Sequence, residues 1–179
     1  MVGSSLDDMT DSVLARGLAQ IDTLLEAVGP TDLGRPTPCS DWAVRDLADH
    51  LVFSVTAMAG MARGDQIDWS ANVPHHEDPA AAFHLAADDL LEAVATAGDL
   101  FPEGMAAGEL AVHAYDLATG LGRDVSDLDP VVAEVGHDFM SGALSDELRQ
   151  GAFEPEQPAP AGAGPYERLA AFAGRTVTG

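Results

Sequence analysis

The sequence predicts an all-α protein, and three observations carry that prediction. Aromatic residues make up 6% of the chain, and β-branched runs with a period of two are scarce, which disfavours a sheet. Apolar residues recur instead at three- and four-residue steps along several long stretches. Asp-Pro pairs and glycines fall at the ends of those stretches, where helices start and stop. The expected architecture is an antiparallel four-helix bundle with additional short helices and a Pro-rich C-terminal strap.

The first helix is expected from Leu6 to Val28, since Val13, Leu14, Leu18, Ile21, Leu25 and Val28 keep helical spacing before Gly29-Pro30. A Pro- and Gly-rich loop to Cys39 follows. The second helix is expected from Asp41 to Arg63, capped by Ser40 or Asp41 and closed by Gly64. Residues 64–77 are polar and aperiodic, and Asp78-Pro79 then opens a third helix to Ala97, ended by Gly98. The fourth runs from Gly104 to Thr119 and meets the Gly120-Leu121-Gly122 stop. Asp129-Pro130 repeats the start signal for a fifth, to Gln150. Glu154 to Pro165, with Pro155, Pro158 and Pro160 inside it, is an extended connection. A short helix from Pro165 to Ala173 closes the chain.

Length and charge narrow the function. The 179 residues suit one domain, spanning 1–179, and need no disulfide staple. Thirty acidic residues against eight basic ones, all arginine, give a formal charge of −22. Such a field repels phosphate backbones and anionic lipid, so neither nucleic acid nor a membrane is an expected partner. The chain has no apolar run long enough to span a bilayer, and its polar start lacks the pattern of a signal peptide. Cys39 has no second cysteine to pair with, which fits a reducing cytoplasm. The strong like charge favours a monomer or homodimer over a large assembly.

Two helices carry residues with chemical potential. On the fourth, Glu109 and His113 lie about 40° apart on the helical wheel, and Asp116 falls about 20° to the other side of Glu109. This polar strip abuts the apolar stripe of Leu110, Leu117 and Leu121 rather than opposing it, so the groups point inward. Buried Glu and His without partners cost several kcal/mol, and a metal ion is one remedy. On the second helix, His50 sits at the edge of a stripe formed by Val44, Leu47, Leu51, Val55 and Met58, with Ala43, Ala57 and Met61 leaving room beside it. His50, Glu109 and His113 together supply two nitrogens and one carboxylate oxygen, which leaves a coordination position open, as reactive sites do. From spacing alone, a surface Glu–His pair and a hydrogen-bonded core histidine remain the alternative.

The stretch Thr37-Pro38-Cys39-Ser40-Asp41-Trp42 through His50-Leu51, followed by Glu109-Leu110-Ala111-Val112-His113-Ala114-Tyr115-Asp116, resembles the DinB-like metal-binding superfamily. It is most similar to the branch related to the N-terminal domain of mycothiol-dependent maleylpyruvate isomerase. The ending Tyr166-Glu167-Arg168-Leu169 to Gly174-Arg175 is similar to that branch's closing pattern. The resemblance implies a four-helix bundle holding a divalent ion, zinc or else nickel, on His50, Glu109 and His113, with nitrogens about 2.0–2.1 Å from zinc. Asp116 matches an acid that stands behind the ligands, where it would orient His113 or an Arg near the opening. The implied activity is a metal-dependent thiol transferase or isomerase that uses a mycothiol-type thiol and a small electrophile. No side chain is expected to act as a covalent nucleophile. A non-catalytic metal-binding regulatory or sensing module is the alternative, and a purely structural bundle without metal is a third. Two departures stand out: the chain leaves no room for the extra C-terminal domain of the isomerase, and residues 98–108 look short before the Glu109 helix.

Other candidates are weaker. Cys39 precedes a helix start, where a dipole can lower a thiol pKa, but a structural role is the expected one. The loop run His75-His76-Glu77-Asp78 is expected in solvent, and His84 and His137 at the surface or core edge. Trp42 should pack the start of the second helix, and Trp69 should pack or line a lip.

Overall fold

The computed structural model describes residues 12–39, 41–145, 149 and 153–178. Among these are six α-helices and no strand: α1 Val13–Glu26, α2 Val44–Ala62, α3 Pro79–Ala97, α4 Glu103–Leu121, α5 Pro130–Ala143 and α6 Pro165–Phe172. The all-α bundle expected from the sequence is the architecture found. Round the bundle the order is α1, α3, α2, α4, each packing on its two neighbours, so the chain crosses a diagonal between α1 and α2. Helices α5 and α6 pack on α4, which makes α4 the central element.

The helix ends follow local chemistry, and three differ from expectation. Helix α1 starts at Val13 rather than Leu6, because Ser12 is extended and its hydroxyl accepts from the Ala15 N–H. The Glu103 carboxylate accepts from Leu14 N–H across the bundle and fixes the same end. The expected stretch before Ser12 lies outside the described residues. Helix α2 starts at Val44 rather than Asp41. Thr37 N–H bonds Trp42 O and Val44 N–H bonds Arg35 O, holding the approach extended, while Asp46 reaches back to the Ala43 N–H. Of the two expected caps, Ser40 lies outside the described residues and Asp41 sits in a turn. Helix α5 ends at Ala143 rather than Gln150, where Leu144 turns extended and packs its side chain against the core. The Asp78 and Asp129 starts are as expected, each side chain accepting from a first-turn N–H. Gly122 closes α4 in the left-handed region, where glycine is unstrained.

Helix α4 is buried on nearly every face from Ala106 to Ala118, not along one stripe. Small residues permit this. A Cβ on Gly136 of α5 would meet Gly108 Cα of α4 at 2.8 Å, so these two backbones touch directly. The core around α4 joins Leu14, Leu18 and Ile21 of α1, Leu47, Leu51 and Val55 of α2, and Phe83 and Leu90 of α3. Burial of each such side chain contributes about 1.5–3 kcal/mol. Residues 154–160 run extended, as expected, and Gln157 N–H bonds Ala171 O at the end of α6. Among the described residues no helix is long and apolar enough to cross a membrane.

Candidate metal centre

Helices α2 and α4 are neighbours in the bundle, and each contributes from its facing side. His50 and Ser54 are one turn apart on α2; Glu109 and His113 are one turn apart on α4. His50 Nε2 lies 2.9 Å from Glu109 Oε1, and His113 Nε2 lies 3.4 Å from the same oxygen. One potential ligand atom from each of the three residues falls within 4.8 Å of the others. The expected trio is therefore brought together by the fold. Ser54, not anticipated from the sequence, donates its hydroxyl to Glu109 Oε1 at 2.6 Å. A His and a Ser four apart on an inward strip was the signal available for it.

Behind His113 stands a buried relay. Asp116 is fully buried; its Oδ2 lies 3.1 Å from His113 Nδ1 and 2.8 Å from Arg175 Nη2, and Arg175 Nε donates to its other oxygen at 3.2 Å. Arg175 Nη1 also donates to Ala173 O. Asp116 thus holds both His113 and an arginine. Gly174, at φ +91°, turns the chain after α6 so that Arg175 folds back to Asp116, and a Cβ there would strike Glu154 O at 2.6 Å. Trp42 lies over both imidazoles, its ring centroid 4.4 Å from that of His50 and 5.9 Å from that of His113. Its expected place beside the start of α2 is thereby also a roof over the cluster.

Electrostatics show what the cluster lacks. A carboxylate only accepts, so His113 Nδ1 carries the proton shared with Asp116, and a neutral ring then turns a bare Nε2 lone pair toward Glu109. Two acceptors face each other, and a cation between them removes the conflict. Without one, a proton does so: burial works to lower the His113 pKa, but Glu109 and Asp116 outweigh it and raise it to about 9. Burial likewise works to raise the Glu109 pKa, and the charges and hydrogen bonds of His113 and His50 hold it well below the usual carboxylate range. Two imidazole nitrogens and one carboxylate oxygen are a donor set suited to a borderline-soft divalent ion. The residues fit such an ion, and Asp116 fixes the tautomer that presents Nε2 to it.

Beside Glu109 opens a cavity of about 260 Å³, walled by Met58, Met105, Met140, Trp69, Phe139 and Phe153. Trp69 lines this lip, as one of its two expected roles required, and also stands edge-on to Phe53. Burial first, then the Asp116 charge, pushes the Cys39 thiol up to about 11, which disfavours its thiolate. His75, Glu77 and Asp78 are exposed, as expected, while His76 is partly buried, and both loop histidines are tied to Asp49. Asp49 accepts from the His75 ring at 2.8 Å and from the His76 N–H at 2.9 Å. His84 pairs with Asp22 across α1 and α3, and His137 meets the Phe172 ring edge-on.

Fold and cluster together define a helical bundle of the DinB-like class with a His–Glu–His constellation. The chain belongs to the family described as Mycothiol maleylpyruvate isomerase N-terminal domain, which matches residues 14–109. That match includes His50 and ends on Glu109, four residues short of His113. Two relatives from Mycobacterium tuberculosis, Uncharacterized protein MT0763 of strain CDC 1551 and Uncharacterized protein Rv0738 of strain H37Rv, are each 33% identical over 183 residues. The alignment covers 93% of this chain and 99% of each relative. No solved structure matches the chain.

Proposed function

We propose that this protein is a metal-dependent thiol transferase or isomerase acting on a small electrophile, with His50, Glu109 and His113 as the ligands of a divalent ion. The ion is zinc, with nickel as the other candidate. The observation that supports this most is the convergence of His50 Nε2, His113 Nε2 and Glu109 Oε1 at the wall of the cavity, with His113 buried and Glu109 half-buried. An ion held there supplies positive charge that lowers the pKa of a thiol in the adjoining cavity. The chain's own residues do the rest. Asp116 keeps His113 in one tautomer and orientation, and Arg175 balances the Asp116 charge. Ser54 donates to Glu109 Oε1, fixing the carboxylate. Trp42 and the Met-rich wall exclude water, which strengthens every charge interaction inside. The raised thiol pKa of Cys39 agrees with a reaction whose sulfur comes from a cosubstrate rather than from the protein. Mycothiol is the thiol that the family's name points to, which sets the work in a reducing cytoplasm, by a monomer or homodimer.

The test is a metal assay followed by turnover. Purified protein should carry close to one zinc or nickel per chain, and metal-loaded protein should accelerate conjugation of mycothiol with a small electrophile. Protein that carries no transition metal and takes none up would overturn the proposal. Stoichiometric metal without turnover on any thiol would replace it with a binding module.

A further inference from the structure

The wall of the cavity beside Glu109 says which ligand it accepts. Three methionines, two phenylalanines and Trp69 surround about 260 Å³, and Glu109 is the single charged residue among the described lining. Among the described lining no basic side chain is at hand to receive a ligand carboxylate. Arg175 spends its guanidinium on Asp116 and Ala173 O, and Arg149 donates to Phe172 O and Glu154 O while stacking 4.5 Å from the Phe172 ring. The stretches outside the described residues contain neither Arg nor Lys. In the metal-free protein a carboxylate entering this space would lose its hydration, gain no counter-charge from the described wall and face Glu109. Methionine side chains bend to irregular shapes and gain from contact with aromatic edges, so the wall accepts more than one outline. The volume lies just under the range of about 300–1,000 Å³ usual for drug-sized ligands, which fits a single ring or a short chain.

We infer that this cavity binds a small, uncharged, largely apolar molecule, and discriminates against a mono- or dicarboxylate of the kind that maleylpyruvate in the family's name would be. That this molecule is the electrophile of the reaction rests on the function proposed above; the charge preference rests on the wall alone.

A matched pair separates the classes: methyl cinnamate and cinnamate, measured by equilibrium dialysis against the full chain, chelator-treated and zinc-loaded. The ester should bind at least about tenfold more tightly than the acid to the chelator-treated protein, where the wall alone decides, and zinc, as a cation beside Glu109, should narrow that gap. Ala143 lines the cavity on an exposed position, so Ala143→Arg adds a cation without disturbing the core. It should raise the affinity of the acid and erase the preference. In the chelator-treated protein the inference is overturned by an acid that binds as well as the ester, by no binding of either, or by a preference that Ala143→Arg leaves untouched. Zinc titration of the same samples reports separately on the metal. Protein that takes the ester but no zinc refutes the proposed function alone, and protein that takes zinc but prefers the acid when chelator-treated refutes this inference alone.

Discussion

Asp49 and His50 are adjacent on α2, yet each anchors its own histidine cluster, and the clusters are built on opposite logic. Around Asp49 both carboxylate oxygens are filled by protein donors, the His75 ring on one and the His76 backbone N–H on the other. Arg45 holds the same loop by donating to His76 O at 2.7 Å. The acid is a latch for the loop after α2, with His76 Nδ1 also 3.4 Å from the same carboxylate but making no hydrogen bond. Around Glu109 the protein supplies a hydroxyl and two imidazole nitrogens, one of which is bare unless a proton stays on it. The adjacent histidines of the loop catch the eye in the sequence, but two histidines 63 positions apart converge on Glu109 in the proposed metal site. Rigid helices hold those two in place, whereas the loop pair is itself held.

The sharpest way to break this contrast is to remove one histidine from each cluster. His113→Ala should weaken zinc binding by more than about 100-fold, beyond the usual loss for an outer partner, measured against a competing chelator. His75→Ala should leave zinc affinity unchanged. Equal losses in the two variants would mean that the clusters form one site. Behind the inner cluster, Arg175→Ala should cost about 3–5 kcal/mol in urea unfolding, because Asp116 would stay buried without its counter-charge. Adding Asp116→Asn to that variant should restore part of the loss. No restoration would mean that Arg175 acts by packing. For the latch, Asp49→Ala should cost about 1–3 kcal/mol and open residues 64–77 to protease, with zinc stoichiometry unchanged.

How much of this was legible in the sequence depends on how far each cause reaches along the chain. The Asp78 and Asp129 starts and the Gly122 stop are set within one turn, and they fall where the pattern puts them. Glu109 and His113 share a strip by helical geometry alone; His50 joins them as the histidine at the edge of another helix's apolar stripe, and the family likeness strengthens that grouping. The start of α2 was misplaced because hydrogen bonds from Arg35 and Thr37 hold the approach extended. Helix α4 shows one apolar stripe beside its polar strip in the sequence, yet Gly108 and Gly136 let α5 close over a further face. Arg175 lies 59 residues beyond the carboxylate it serves, and its role needs the turn at Gly174. Local signals are spelled in the residues; contacts across the bundle exist only once it has closed.

The mildest test extends the comparison to the surface. His84 is 60% exposed and donates to Asp22 at 3.0 Å across α1 and α3, a third His–carboxylate pair with water on most sides. The hydrogen bond to Asp22, then the charges of Asp22 and Asp88, raise its pKa above the ordinary value of 6.5. A group whose pKa is higher folded than unfolded stabilises fully below the unfolded value and loses that contribution as pH rises through the folded one. The stability difference between wild type and Asp22→Ala should therefore be larger near about pH 5.5 than near about pH 8.5. The imidazole titration followed by NMR should fall back toward 6.5 in that variant. Salt should shrink the effect, since exposed pairs are screened while the Asp116 relay is not. A His84 titration that Asp22→Ala leaves in place would show that the pair is a contact without energetic weight. The gradient from buried relay through half-buried latch to surface pair would then end at Asp49.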